Sequence, residues 1–318
     1  MGLQVEVEQL FERQLREWPL VQRNYAALDD MAVRVLTLPC GSNLVLQFNP
    51  ERVRSNAAAI DAASLASRPC FLCAEHQPSA QESIRWREHY KVQVNPYPIF
   101  SRHLTISLQE HVPQQLSPQR LDDMVHLATE LPGFVVFYNG AQCGASAPHH
   151  FHFQAGLKGL MPLCDEVDDE ALWPIDSRIE SRDDGFLGFS QRWGRFFFMA
   201  RAQSPTLLLN YMARIMLAMV RATGNAHPMV NVLCWTAGEH GNALFFPRGK
   251  HRPSCYGDGP GQLLVSPASV EMGGLWTLVR KSDYDDVTPQ RIQQVYDELM
   301  VDNATAVRMI EMLSTNEL

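Results

Sequence analysis

Ala147-Pro148-His149-His150-Phe151-His152-Phe153-Gln154 is the stretch from which the rest of the chain can be read. Successive side chains of an extended strand point to opposite faces, so His150, His152 and Gln154 share one face and Phe151 and Phe153 the other. The phenylalanines would anchor the strand in a core, and the polar three would project into a cleft from a rigid platform. An imidazole can attack phosphorus without a separate base if its attacking nitrogen is unprotonated. Its other nitrogen must then donate a hydrogen bond, usually to a backbone carbonyl. Gln154 can donate its amide to a phosphate oxygen as charge shifts in the transition state. Ordinary core or surface histidines and a metal site are the rival readings. Three histidines in four residues, with Gln at period two, favour the nucleophile reading.

Working outward, the apolar run 133–140 reads as a buried strand, and 116–131 as a helix started by Ser117-Pro118. Residues 89–98 and 103–110 are strands separated by a proline-marked turn. Nearer the N-terminus, 33–38 and 43–48 read as strands joined at Gly41-Ser42, after an amphipathic helix over 3–28 that breaks near Trp18-Pro19. A polar turn from Asn49 leads into a short helix. Residues 159–190 are acidic and irregular. Beyond them a second pattern appears: a strand at 192–200, a helix at 204–223, strands at 229–237 and 242–249, a strand-like segment at 263–280 and a C-terminal helix. The expected fold class is α+β, with two related modules, 1–158 and 191–318, each an antiparallel sheet with packed helices, joined through 159–190.

The 318 residues are 46% hydrophobic and 19% charged, which suits a soluble globular protein whose core needs no disulfides. A net charge of −8 excludes general nucleic-acid binding, which needs a basic surface, but not a nucleotide substrate held by a local basic cluster. Of seven cysteines only Cys70 and Cys73 are closely spaced, so no secreted disulfide framework is read. No signal-peptide layout and no apolar run of membrane-spanning length is seen, and the expectation is a cytoplasmic protein with no membrane partner.

Cys70-Phe71-Leu72-Cys73 places two thiols at a spacing that clamps one zinc, if two more ligands come from elsewhere. Unmetallated buried thiols remain open as an alternative. A redox pair does not fit, because Pro78 and a polar run follow where a helix would be needed. Arg248-Gly249-Lys250-His251-Arg252 gathers cations after an apolar strand, either a phosphate site or a solvated hairpin tip. Residues 47–55 could supply base or phosphate contacts, or form an ordinary polar turn.

His150-Phe151-His152-Phe153-Gln154 resembles the H-x-H-x-Q motif of the histidine-triad superfamily. The likeness is to the branch holding galactose-1-phosphate uridylyltransferase, diadenosine tetraphosphate phosphorylase and GDP-L-galactose phosphorylase. Residues 139–148 are similar to that branch's Asn-rich and Gly-Ala-Ser-x-Pro approach, with one extra residue, His149, before the motif. The likeness covers 47–157 and, more loosely, 240–285, where 266–274 and 280–284 are similar to GDP-L-galactose phosphorylase.

The resemblance implies His152 as the covalent nucleophile and Gln154 as its transition-state partner. It implies phosphate contacts from Asn139 and Ser146, and substrate contacts from Arg248, Lys250 and His251. It also implies a structural zinc on Cys70, Cys73, His111 and His150, with His103 either a rival third ligand or a neighbour of the nucleotide. The implied reaction is ping-pong transfer of a nucleoside monophosphate from a GDP- or UDP-hexose, through a nucleotidyl-histidine, to phosphate or a sugar phosphate. One active site per chain is expected, since the second module lacks an H-x-H, and the resemblance admits a homodimer. The alternatives are a dinucleoside polyphosphate phosphorylase or hydrolase, and a non-catalytic zinc-containing nucleotide-binding protein. The hydrolytic branch favours a third His where this chain has Gln154.

Overall fold

The computed structural model describes residues 2–52, 68–169 and 177–315. The helix expected after the Asn49 turn lies outside the described residues. Two N-terminal helices, α1 (Leu3–Glu17) and α2 (Pro19–Ala26), meet at Trp18, where Pro19 opens the second. Strands β1 (Val33–Thr37) and β2 (Asn43–Phe48) form a hairpin, and β3 (Ile84–Trp86), β4 (Tyr90–Val94) and β5 (His103–Leu108) follow. Helix α3 (Pro118–Glu130) starts as expected, with the Ser117 hydroxyl accepting from the Arg120 N–H. It leads to β6 (Phe134–Asn139) and β7 (His152–Leu157).

The stretch expected to be irregular carries helix α4 (Pro162–Asp168) and strands β8 (Arg178–Arg182) and β9 (Gly185–Ser190). Its polarity misled because β8 is an edge strand, with Arg178, Glu180 and Arg182 tolerated at the sheet margin. Then come β10 (Phe197–Ala202), α5 (Pro205–Thr223), β11 (Val230–Ala237) and β12 (His240–Pro247). Helix α5 repeats the Ser-Pro start at Ser204 and ends on Gly224, whose left-handed φ of 65° favours a residue without Cβ. The segment read as strand-like over 263–280 resolves into a short helix, α6 (Ser269–Met272), and a strand, β13 (Leu275–Leu278). Helices α7 (Lys281–Asp286), α8 (Pro289–Leu299) and α9 (Asn303–Thr315) close the chain.

Ten strands form one sheet in the order β3-β4-β5-β7-β6-β11-β12-β10-β9-β8, antiparallel throughout. From the central β6–β11 pair outward, the two halves follow the same path, each strand of the second numbered five above its counterpart. Helix α3 between β5 and β6 matches α5 between β10 and β11. One sheet thus takes strands from both halves, and β13 crosses back to pair in parallel with β2.

Alternate residues of the central strands enter two cores. Phe134, Val136 and Tyr138 pack with the helices on one face; Val135 and Phe137 pack with β2, β13 and α8 on the other. Both faces are therefore dry, which is why the 133–140 run reads as continuously apolar. Phe151 and Phe153 enter the helix-side core, so Gln154, alternating with Phe153, faces the other side.

Candidate active site

On that side a cavity of about 480 Å³ lies between the first half of the sheet and the segment 266–277. His152 stands in its wall at the start of β7, 3% exposed. The β6–β7 ladder ends at the Phe137–Gln154 pair, while β5 continues to pair through Ser107 with His152. The His152 ring is oriented by its own chain: Nδ1 lies 2.9 Å from the His150 carbonyl oxygen. A carbonyl only accepts, so Nδ1 carries the proton and Nε2 keeps its lone pair. Burial pushes the imidazole down to about 4, against the raising effect of that backbone hydrogen bond, so the ring is neutral near pH 7.

Gln154 and Asn139 line the same cavity, and both have their side-chain oxygens engaged behind it. Gln154 Oε1 lies 2.9 Å from His103 Nε2. Asn139 Oδ1 accepts from Asn231 Nδ2 at 3.0 Å and from the Ser269 N–H at 2.8 Å. Each amide is thereby turned to offer its NH₂ group as the donor for the cavity. Ser146 also lines the cavity, with its carbonyl held by Arg68 Nη2 at 2.5 Å.

His103 is fully buried and does not reach the cysteines; its ring lies behind Gln154. His150 precedes β7 instead of lying on it, so the shared face read for His150, His152 and Gln154 holds only for the last two. The turn that rejects His150 from the strand sends its Nδ1 to within 3.4 Å of Cys70 Sγ and 3.5 Å of Cys73 Sγ. Cys73 Sγ lies 3.0 Å from His111 Nδ1, and the four donor atoms fall within 4.8 Å of one another. Edges of roughly 3.3–3.8 Å are what a tetrahedron with metal–sulfur bonds of ~2.3 Å and metal–nitrogen bonds of ~2.0 Å requires. His150 Nε2 lies 2.8 Å from the Leu108 carbonyl, which fixes Nδ1 as the ligating atom. These four residues could hold a metal.

The basic segment divides. His251 lines the cavity, with Nδ1 2.8 Å from the Gln142 carbonyl. Arg248 does not: it is 3% exposed and spends its guanidinium on Asn231 Oδ1 at 2.6 Å and on the carbonyls of Pro267, Lys250 and His251. It ties β12 to the loop that covers the cavity. Lys250 points away and pairs with Glu298.

Three arginines reach the cavity: Arg52 and Arg252, from the 47–55 and 248–252 segments read as possible phosphate contacts, and Arg68, which no pattern singled out. So does Glu271, 6% exposed, on the short helix α6. Burial raises the Glu271 carboxyl above its ordinary value, opposed by the Ala268 N–H, which donates to Oε2 at 2.9 Å, and by the nearby Arg52. Arg68 and Arg252 lie in bends, and Arg52 and Glu271 on single helical turns, too short for a spacing rule to mark which way a side chain points. In the second half the counterpart of β7, β12, carries His240-Gly241-Asn242-Ala243-Leu244 and so has no H-x-H. Asn242 accepts from Arg201 Nη1 at 3.1 Å, away from the cavity.

Comparison with solved structures meets this geometry. Yeast Ap4A phosphorylase in complex with AMP superposes with a TM-score of 0.57 at 16% identity, covering 90% of this chain and 96% of that one. The same enzyme in complex with Ap4A gives 0.55 at 16% identity, covering 88% and 96%. The chain has their histidine-triad-like fold. Residues 10–157, just under half of the chain, match the model of a domain of unknown function (DUF4922). No curated protein matches the chain in sequence. Among the described residues, no helix is long and apolar enough to cross a membrane.

Proposed function

We propose that this chain is a nucleotidyltransferase working by double displacement through His152. The observation that carries the reading is the His152 ring itself. It is buried and neutral, with Nδ1–H tied to a carbonyl and Nε2 left with its lone pair in the wall of a nucleotide-sized cavity. In the first displacement Nε2 attacks the α-phosphorus of a nucleotide donor. The bond from that phosphorus to the bridging oxygen breaks, and the leaving phosphate takes the electron pair. The ring becomes a nucleotidyl-imidazolium, its charge eased by the Nδ1–H···O=C bond. An oxygen of phosphate or of a sugar phosphate then attacks the same phosphorus, and the P–N pair returns to Nε2. The Gln154 and Asn139 amides are placed to donate to the non-bridging oxygens in both transition states. Arg52, Arg68 and Arg252 supply the positive field that an otherwise acidic chain needs for a polyphosphate.

A GDP- or UDP-hexose is the donor we favour, because a buried carboxylate at Glu271 accepts from sugar hydroxyls and repels phosphates. The likeness to yeast Ap4A phosphorylase favours a second reading, a dinucleoside polyphosphate as donor. In either case zinc is the metal that suits two thiolates and two imidazoles. Its part would be structural, stapling the 70–73 loop to the residue that carries the carbonyl acceptor of His152 Nδ1.

Purified protein incubated with a panel of both donor classes, without acceptor, tests the reading by intact mass under alkaline conditions that preserve phosphoramidates. A gain of one nucleoside monophosphate, absent in His152→Ala, is expected. Absence of any adduct, together with measurable nucleotide affinity, would instead support a binding protein.

A further inference from the structure

We propose that Gln114 is the positioning residue of the nucleophile, a side chain that completes the β-ladder where the two strands of the site separate. Continued two residues past the Phe137–Gln154 pair, the register would set Asn139 opposite His152, but the β6–β7 ladder has ended by then. The Gln114 side chain fills the gap. Its Nε2 donates to the Asn139 carbonyl at 2.9 Å and to the His152 carbonyl at 2.9 Å, and its Oε1 accepts from the His152 N–H at 2.8 Å. One amide thus satisfies three backbone groups that a continuous ladder would otherwise have paired.

Gln114 is itself immobile. It is 2% exposed; its carbonyl accepts from the Tyr138 hydroxyl at 2.9 Å, and its N–H donates to the Pro148 carbonyl at 3.2 Å. His152 is therefore clamped on both sides, by Ser107 of β5 and by Gln114, before its ring is turned by the His150 carbonyl. The separation of the strands leaves the His152 backbone without its ladder partner, so the site needs a brace that fixes the nucleophile in place of β6. No other side chain bonds to the backbone N–H of His152 among the described residues. Gln114 touches no part of the cavity, and its action runs through the backbone of His152 alone.

This rests on the double-displacement reading, and two measurements separate their failures. Gln114→Met keeps the bulk and removes all three bonds; Gln114→Asn is one methylene too short to span them. In single-turnover mass measurements, adduct formation in either variant should slow by about 10–100-fold, since misplacement by an ångström costs that much. Affinity for the nucleoside monophosphate, measured by calorimetry, should stay within about threefold, a split that general loosening of the fold would not produce. Amide hydrogen exchange at His152 should lose its protection while the Phe134–Phe137 amides keep theirs. Adduct formation at the wild-type rate overturns the proposal. If wild-type protein forms no adduct with any donor, the function reading fails, and exchange decides alone: lost protection confined to His152 upholds the brace and unchanged protection overturns it. Failure of both variants to fold would also overturn it, by making Gln114 a residue of the core.

Discussion

Nε2 of His103 lies 2.9 Å from Oε1 of Gln154, and the proton in that bond belongs to His103. The reason is on the other side of the ring, where Nδ1 sits 3.2 Å from the Ile99 N–H and can only accept from it. The tautomer of one buried histidine thereby decides which end of the Gln154 amide faces the cavity. His103→Phe keeps the ring volume and removes both nitrogens. Nucleotidyl transfer should fall by roughly tenfold, and stability by about 1–3 kcal/mol, because the Ile99 N–H loses its partner. Steady-state kinetics and urea unfolding check the two effects separately.

Burial pushes His103 down from 6.5 to about 3, with Arg52 adding to the effect. The unfolded chain therefore binds a proton that the folded chain refuses between those values. Stability is fully present above pH 6.5 and is lost as pH falls through this window toward 3, at up to ~1.4 kcal/mol per pH unit. Urea unfolding between pH 7 and pH 4.5 should show a shallower pH dependence in His103→Phe than in wild type. Parallel slopes would mean that His103 is not held neutral.

Removal of the metal should act through the loop. Cys70→Ser, or wild type treated with a chelator, should lose about one equivalent of zinc per chain by elemental analysis and melt roughly 5 °C lower. Phe71 and Leu72, which line the cavity between the two cysteines, should lose protection from exchange with it.

Glu271 separates the two donor classes. Glu271→Gln keeps an oxygen for the Ala268 N–H and removes the charge. The kcat/KM for a sugar nucleotide should drop by about tenfold more than that for a dinucleoside polyphosphate, because the hexose is bonded directly to the diphosphate and presents its ring hydroxyls there, whereas a dinucleoside polyphosphate continues as phosphate. Equal losses would remove Glu271 from sugar recognition.

Gly144 joins the two halves over the site. Its φ is 88°, and a Cβ there would lie 2.4 Å from the Ala268 Cβ. Gly144→Ala should cost about 1–3 kcal/mol from backbone strain and overlap together, and should raise the KM of any nucleotide donor. Thermal unfolding alongside Michaelis kinetics tests it.

Short-range rules made much of this protein legible in advance. Ser117-Pro118 and Ser204-Pro205 set helix starts because the hydroxyl and the fixed φ act within one turn. The run 134–139 had to be a buried strand. The spacing of His152 and Gln154 had to put both on the face opposite Phe153. The residues after Cys73 told against a redox helix. What spacing could not decide was where each chain segment meets another. His150 and His152 are two residues apart, yet one faces the thiols and the other the cavity, because the strand begins between them and the alternation rule holds only inside a strand. Arg248 looked like a phosphate ligand and is buried in backbone carbonyls, while Arg52, Arg68 and Glu271 enter the cavity from a bend and from single-turn helices. Gln114 carries no motif at all; its part exists only because β6 and β7 separate 25 and 38 residues further along the chain. Periodicity records which side of its own element a residue occupies. The partner across a gap is set by long-range packing, which leaves no local trace.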